Sequence, residues 1–145
     1  MTFNNILAET HCNCLEDSFE NYSGTFARRS DKSPSPKARD FKSYYEGGKI
    51  VEDLNNCQEV CGHRGVSFEI WNVNSRDKIL EKFLESAQIS PQFRKVLNIV
   101  RLKSNAGIVK YTPEQGLEYN EFHYDFYKSD DFQIDMIELV EQIRV

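Results

Sequence analysis

The chain has 145 residues, of which 39% are hydrophobic and 12% aromatic, enough apolar mass for one domain that folds without disulfide staples. Charged residues make up 28%, the mean hydropathy is -0.61, the net charge is -5 and the isoelectric point is about 5.2. An acidic total argues against non-specific nucleic-acid binding, which needs a basic surface. No apolar run approaches the roughly 20 residues that cross a bilayer, and MTFNNILAETHCNC lacks the basic start and apolar core of a secretory signal. The expectation is a soluble, cytoplasmic protein with no membrane contact.

In chain order, residues 1–27 read as a short arm carrying Cys12 and Cys14. Residues 28–40 (RRSDKSPSPKARD) hold two prolines, three serines and five basic residues, and no aromatic or β-branched side chain. Such a stretch buries too little surface to offset its ordering entropy, so it reads as an exposed, mobile loop within a single domain spanning 1–145. Residues 49–61 read as a helix, with Ile50, Leu54, Cys57 and Cys61 on one face and Gly62 as its stop. Val66, Phe68 and Ile70 alternate with Ser67 and Glu69, the period of a strand.

Ser75 is a suitable N-cap for a helix whose apolar stripe is Ile79, Leu80, Phe83, Leu84 and Ala87. Ser90-Pro91 suits a further helical turn, with Phe93 on its face, running into a strand over 96–102. Residues 103–107 read as a hairpin loop, 108–112 as the returning strand, and 113–116 as a second turn. Over 119–127, Phe122, Tyr124 and Phe126 fall on one side and Glu121, His123, Asp125 and Tyr127 on the other. A closing helix is expected from about Asp130, with Phe132, Met136, Leu139, Val140 and Ile143 as its buried stripe. The sum is an α+β fold: an antiparallel sheet of about four strands packed against two or three helices.

All four cysteines fall in two tight pairs, HCNC at 11–14 and CQEVCGH at 57–63. Zinc takes four thiolate or imidazole ligands, and two local pairs far apart in sequence supply them. Cys12, Cys14, Cys57 and Cys61 are the first ligand set, with His11 or His63 replacing one cysteine as the variant. A closed set of four leaves no position for substrate, so the zinc would be structural, tying the arm to the body. Core packing of Cys57 and Cys61, or a disulfide or redox couple, are the alternatives.

His123 and Asp125, with Glu121 beside them, offer an acid–base pair or metal ligands for a metal-assisted hydrolase, against the plainer reading of a solvated sheet face. There is no G-x-S-x-G, H-E-x-x-H or P-loop. Phe41, Tyr44 and Tyr45 beside Lys42, Lys49 and Arg64 could stack bases, and with the basic loop they define a nucleic-acid-binding alternative. From Glu114 onward nine carboxylates face only Lys128 and Arg144, a surface that repels nucleic acid and suits a basic protein partner. The leading expectation is therefore a non-enzymatic, zinc-stabilised interaction or accessory protein that binds another protein.

Overall fold

The computed structural model describes residues 1–31, 34–48, 50–89 and 95–145. The expectations placed on Lys49, Ser90, Pro91 and Phe93 lie outside the described residues. The chain opens with one helical turn, α1 (Asn4–Leu7), and then enters strand β1 (Thr25–Ser30). A 3-10 turn (Ala38–Phe41) and helix α2 (Tyr44–Gly47) precede helix α3 (Cys57–Arg64). Strand β2 (Val66–Trp71) and helix α4 (Arg76–Ile89) lead into β3 (Val96–Leu102), β4 (Gly107–Tyr111), β5 (His123–Lys128) and β6 (Ile137–Arg144). The protein is α+β, as expected, but its antiparallel sheet has six strands rather than about four, in the order β4-β5-β2-β1-β3-β6.

The two additional strands come from segments whose patterns misread. Residues 28–40 are not one loop. Arg28, Arg29 and Ser30 belong to β1, which lies between β2 and β3, and Ala38–Phe41 forms a 3-10 turn with Asp40 and Phe41 buried. The Arg28 guanidinium donates to the carbonyls of Asp40 (2.6 Å) and Ser67 (2.9 Å), which fastens that turn to the sheet. The expected closing helix is instead a 3-10 turn (Ile134–Met136) followed by β6. Here Ile99 pairs with Glu141 but Val100 with Leu139, so Val140 is the extra residue of a β-bulge. The bulge changes the phase of a period-2 pattern. Leu139 packs in the sheet's main core and Ile143 in the cluster beneath α4. Apolar residues at 136, 139, 140 and 143 thereby imitate a helical stripe.

Residues 103–107 do not close a hairpin, because β4 pairs with β5 and β3 pairs with β1 and β6. Four strand steps separate β3 from β4 in the sheet, about 19 Å if it were flat. Five residues reach about 17 Å when fully extended, and this connection is a tight turn in which Ala106 N–H donates to Lys103 O (3.2 Å). The sheet must therefore roll. Its inner surface gathers Phe26, Val66, Phe68, Val100, Leu102, Val109 and Phe126, from five different strands, into one cluster. Phe68 stacks on Phe26 (5.3 Å between centroids) and on Phe126 (5.0 Å).

Two covers lie on the outer surface. Helix α4 sets Ile79 and Phe83 on Ala27, Leu97 and Ile99. Its start is fixed by Ser75, whose hydroxyl donates to Ile70 O (2.5 Å) and accepts from Asn72 N–H (3.0 Å). The N-terminal arm and α3 cover the other part, burying Phe3, Ile6, Cys12, Cys14 and Val60 against Tyr127. Helix α3 itself begins later than its spacing suggests. Asp53 accepts from Asn55 N–H through its side chain (3.0 Å) and from Asn56 N–H through its backbone (2.9 Å), forming a turn. Asn56 then caps the helix by accepting from Glu59 N–H (3.2 Å). Ile50 and Leu54 thus lie outside the helix, and Leu54 is exposed. Gly62 is no stop either: it lies inside α3, where a Cβ would run into the Gln115 side chain.

Candidate functional site

Between the two covers the outer sheet surface is open, and three clefts meet there at Ser67. One of them, about 480 Å³, runs between α3 and the 113–117 turn and is lined by Tyr44, Glu59, His63, Glu114, Gln115 and His123 among others. His123 Nδ1 lies 2.9 Å from Thr112 O. The Thr112 hydroxyl lies equally close, 2.9 Å from Nδ1, so Nδ1 either donates to the carbonyl or accepts from the hydroxyl. Burial lowers the His123 pKa, with the Thr112 carbonyl and the Glu69 charge opposing it, which favours the neutral ring.

Asp125, two residues on, is fully buried rather than solvated. Its cross-strand partners are Ser67 and Lys110, but Lys110 Nζ reaches toward Cys14 O (3.4 Å). Neither carboxyl oxygen has a hydrogen-bond partner among the described residues. Burial pushes the Asp125 pKa up to about 7, offset in part by the nearby Thr112 hydroxyl and the Lys110 charge. Gly65 makes the room: a Cβ there would sit 2.8 Å from Asp125 Cβ and 2.9 Å from its Oδ1. The expectation of a hydrolytic His123–Asp125 pair with Glu121 is therefore corrected in its geometry. Asp125 is sealed beneath Gly65, and Glu121 pairs with Lys78 (3.2 Å) outside the strand.

The second candidate lies where the arm meets α3. All four cysteines come together there, paired across the two segments as disulfides, Cys12–Cys57 and Cys14–Cys61. Each closes with a Cα–Cα separation of 5.3 Å, within the range a disulfide spans. His11 joins the outer pair, its Nε2 4.0 Å from Cys57 Sγ. The ligand atoms of His11, Cys12 and Cys57 lie within 4.8 Å of one another, so this group could hold a metal ion. A sulfur engaged in a disulfide is no thiolate, so the expected four-cysteine zinc site requires both bonds to be reduced. His63 is not in that group; it lines the cleft, with Tyr44 edge-on at 6.1 Å.

Sequence reasoning missed what fastens the arm besides cysteine. Arg64, 5% exposed, ends α3 and pairs with Glu52 (2.7 Å) and Glu9 (2.7 Å), donates to Asn5 O, and stacks over Tyr45 (3.5 Å). The expectation that Arg64 and Phe41 contribute to a nucleic-acid surface is corrected by this burial: both are spent inside the protein. The pattern carries only a faint signal of it, a cation directly before the Gly65 that ends the cysteine helix. No helix among the described residues is long and apolar enough to cross a membrane. Comparison with known proteins found no family model, no curated protein and no solved structure that matches the chain.

Proposed function

We propose that the protein is a small, non-enzymatic binding or accessory domain whose N-terminal arm is fastened by its four cysteines, which hold a structural zinc ion when reduced and cross-link when oxidised. The observation that carries this reading is the meeting of Cys12, Cys14, Cys57 and Cys61 at one place, between the arm and α3, with His11 beside them. Paired cysteines favour metal in a reducing cytoplasm and disulfides in an oxidising compartment, so the compartment selects the state. The acidic C-terminal third suits a basic protein partner. Elemental analysis of protein prepared reduced and without chelator tests it. About one zinc per chain, lost in Cys57→Ser, supports the reading; reduced protein that stays folded and zinc-free removes it.

A second reading, a metal-assisted hydrolase at His123, draws on the cleft that His123 lines, which the sealed Asp125 does not reach. It requires activity on a phosphoester, peptide or nucleotide panel that His123→Ala abolishes. The nucleic-acid reading retains the exposed basic residues around Arg39 and Lys42 and requires binding that weakens steeply with salt.

A further inference from the structure

The two disulfides share one cluster but differ in the residues beside them. Cys14–Cys61 is the inner one: Cys14 is 1% exposed against 7% for Cys12, while Cys57 and Cys61 are both half-buried and all four cysteines pack in one cluster with Phe3, Ile6, Val60 and Tyr127. Cys61 lies a turn inside α3, next to the buried Val60, and its carbonyl accepts from Tyr127 Oη (3.1 Å) and Gly65 N–H (3.2 Å). Cys12–Cys57 is the outer one. Cys57 is the first residue of α3, half-buried, with exposed Asn55, Asn56 and Gln58 around it and the exposed His11 ring alongside. Exchange requires an incoming thiolate to reach a sulfur, so the exposed neighbours of Cys57 favour attack on the outer bond.

We propose that His11, Cys12 and Cys57 form a three-ligand metal site on their own. It is made when a dithiol reductant opens the outer disulfide while Cys14–Cys61 stays closed. This deepens the reading above and rests on it only for cysteine thiolates as metal ligands. In the redox step the dithiol is oxidised to its cyclic disulfide, the Cys12–Cys57 bond breaks, and both sulfurs take up protons as thiols. A divalent zinc ion then binds both as thiolates, releasing two protons, and takes His11 Nε2 as its third ligand. Zn–S bonds of about 2.3 Å and Zn–N bonds of about 2.0 Å at tetrahedral angles place sulfur about 3.6 Å from nitrogen and the two sulfurs about 3.8 Å apart. The 4.0 Å between His11 Nε2 and Cys57 Sγ is already near that value. The two freed sulfurs need only side-chain rotation to separate.

Two thiolates and one imidazole suit zinc rather than a hard oxygen-seeking cation. Three protein ligands leave the fourth position open. Because His11 is exposed, that position faces solvent and can take water or a side chain from a partner. The site thereby differs from a closed four-cysteine centre: it forms without releasing the inner staple, and it presents a coordination vacancy at the surface.

The test titrates the intact chain with dithiothreitol under anaerobic conditions. At each step free thiols are alkylated and located by peptide mapping, and parallel samples receive Co2+ as a spectroscopic stand-in for zinc. The expected first product has two thiols, at Cys12 and Cys57. It binds one Co2+ per chain with thiolate-to-cobalt charge-transfer bands, and Zn2+ displaces it. His11→Ala weakens that binding by at least the roughly 10–100-fold that loss of an outer-shell partner causes, and Cys14→Ser/Cys61→Ser retains it. Should the double variant fail to fold, the half-reduced wild type carries the test by itself. Opening of Cys14–Cys61 first, or unchanged affinity in His11→Ala, would overturn the proposal. Co2+ uptake only once four thiols are free would overturn it and leave the four-cysteine reading standing. No uptake at any thiol count would remove both.

Discussion

Asp125→Asn should change how stability depends on pH, and the sign follows from the burial of this carboxyl. In the unfolded chain an aspartate titrates near 3.9; in the folded protein burial raises Asp125 to about 7. Between those values the folded state holds a proton that the unfolded state has released, so stability falls as pH rises. The penalty is absent below about pH 4, grows through the window, and levels off above pH 7 at about 4 kcal/mol, three pH units at about 1.4 kcal/mol each. Roughly 3 kcal/mol of it develops between pH 5 and pH 8. Asparagine keeps the shape and removes the charge. The gap in Tm between Asp125→Asn and wild type should therefore widen by about 10 °C between pH 5 and pH 8, the variant being the more stable. Calorimetry of both proteins at the two pH values, without reductant, measures the gap directly and cancels the contribution of every other titrating group. A gap that stays constant would mean that Asp125 is charged and solvated in the folded state, and the argument for a sealed carboxyl beneath Gly65 would fail with it.

Gly65→Ala should cost about 1–3 kcal/mol, since its Cβ would meet the Asp125 side chain at 2.8–2.9 Å; urea denaturation should show Asp125→Ala recovering only part of that loss, because the contact with Cβ at 2.8 Å remains. Arg64→Met should cost about 3–5 kcal/mol by leaving the largely buried Glu52 side chain without its partner, and adding Glu52→Gln should restore part of it, which a chemical-denaturation cycle measures. The cysteine pairs should be non-additive. The first bond, at a sequence separation of 45 or 47, closes a long loop worth about 4 kcal/mol, while the second closes a ring of about eight residues worth about 2.5 kcal/mol. Removing either pair alone should therefore cost about 2–3 kcal/mol and removing both about 6–7 kcal/mol; equal, additive losses would show that the arm is held independently of these bonds.

What could be read from the sequence depended on whether the determinant was local. Val66–Trp71 and Arg76–Ile89 were legible because period-2 and period-3.6 patterns report a single face. Within α4 the stripe resolves further: Ile79, Phe83 and Ala87 are buried while Leu84 is exposed. Strand β1 was illegible because TFARRS carries few apolar residues; its place follows from pairing with β2 on one edge and β3 on the other, with Phe26 in the main core and Ala27 under α4. The final strand was misread because its bulge at Val140 produces helical spacing. The meeting of the two cysteine pairs was legible as a need for shared chemistry, but the cross-pairing of 12 with 57 and 14 with 61 is a property of the folded geometry. The buried Asp125 was misassigned to a solvated face because alternation reports which face a residue is on, not what covers that face, and here the cover is the end of α3.

That cover also decides what reduction can do. Were the disulfides the sole attachment of the arm, opening them would release residues 1–14 and scatter the ligands. The arm, however, has a second attachment that no reductant touches: Arg64 holds Asn5 and Glu9 from the end of the same helix that carries Cys57 and Cys61. Thr2 and Asn4 add a third, donating to the Asp130 carboxylate at 2.8 Å and 3.0 Å. Freed thiols would therefore stay close to the positions their sulfurs occupy in the disulfides, with the chain entropy of gathering them already offset by ionic and backbone contacts. A preorganised set of ligands binds metal more tightly than the same residues on a free arm. The Arg64 contacts and the cysteine cluster are thus coupled, and Arg64→Met should weaken metal binding by the reduced protein even though Arg64 touches no ligand. If metal affinity, measured by competition with a chromophoric chelator, is unchanged in a folded Arg64→Met protein, the ionic attachment plays no part in gathering the ligands.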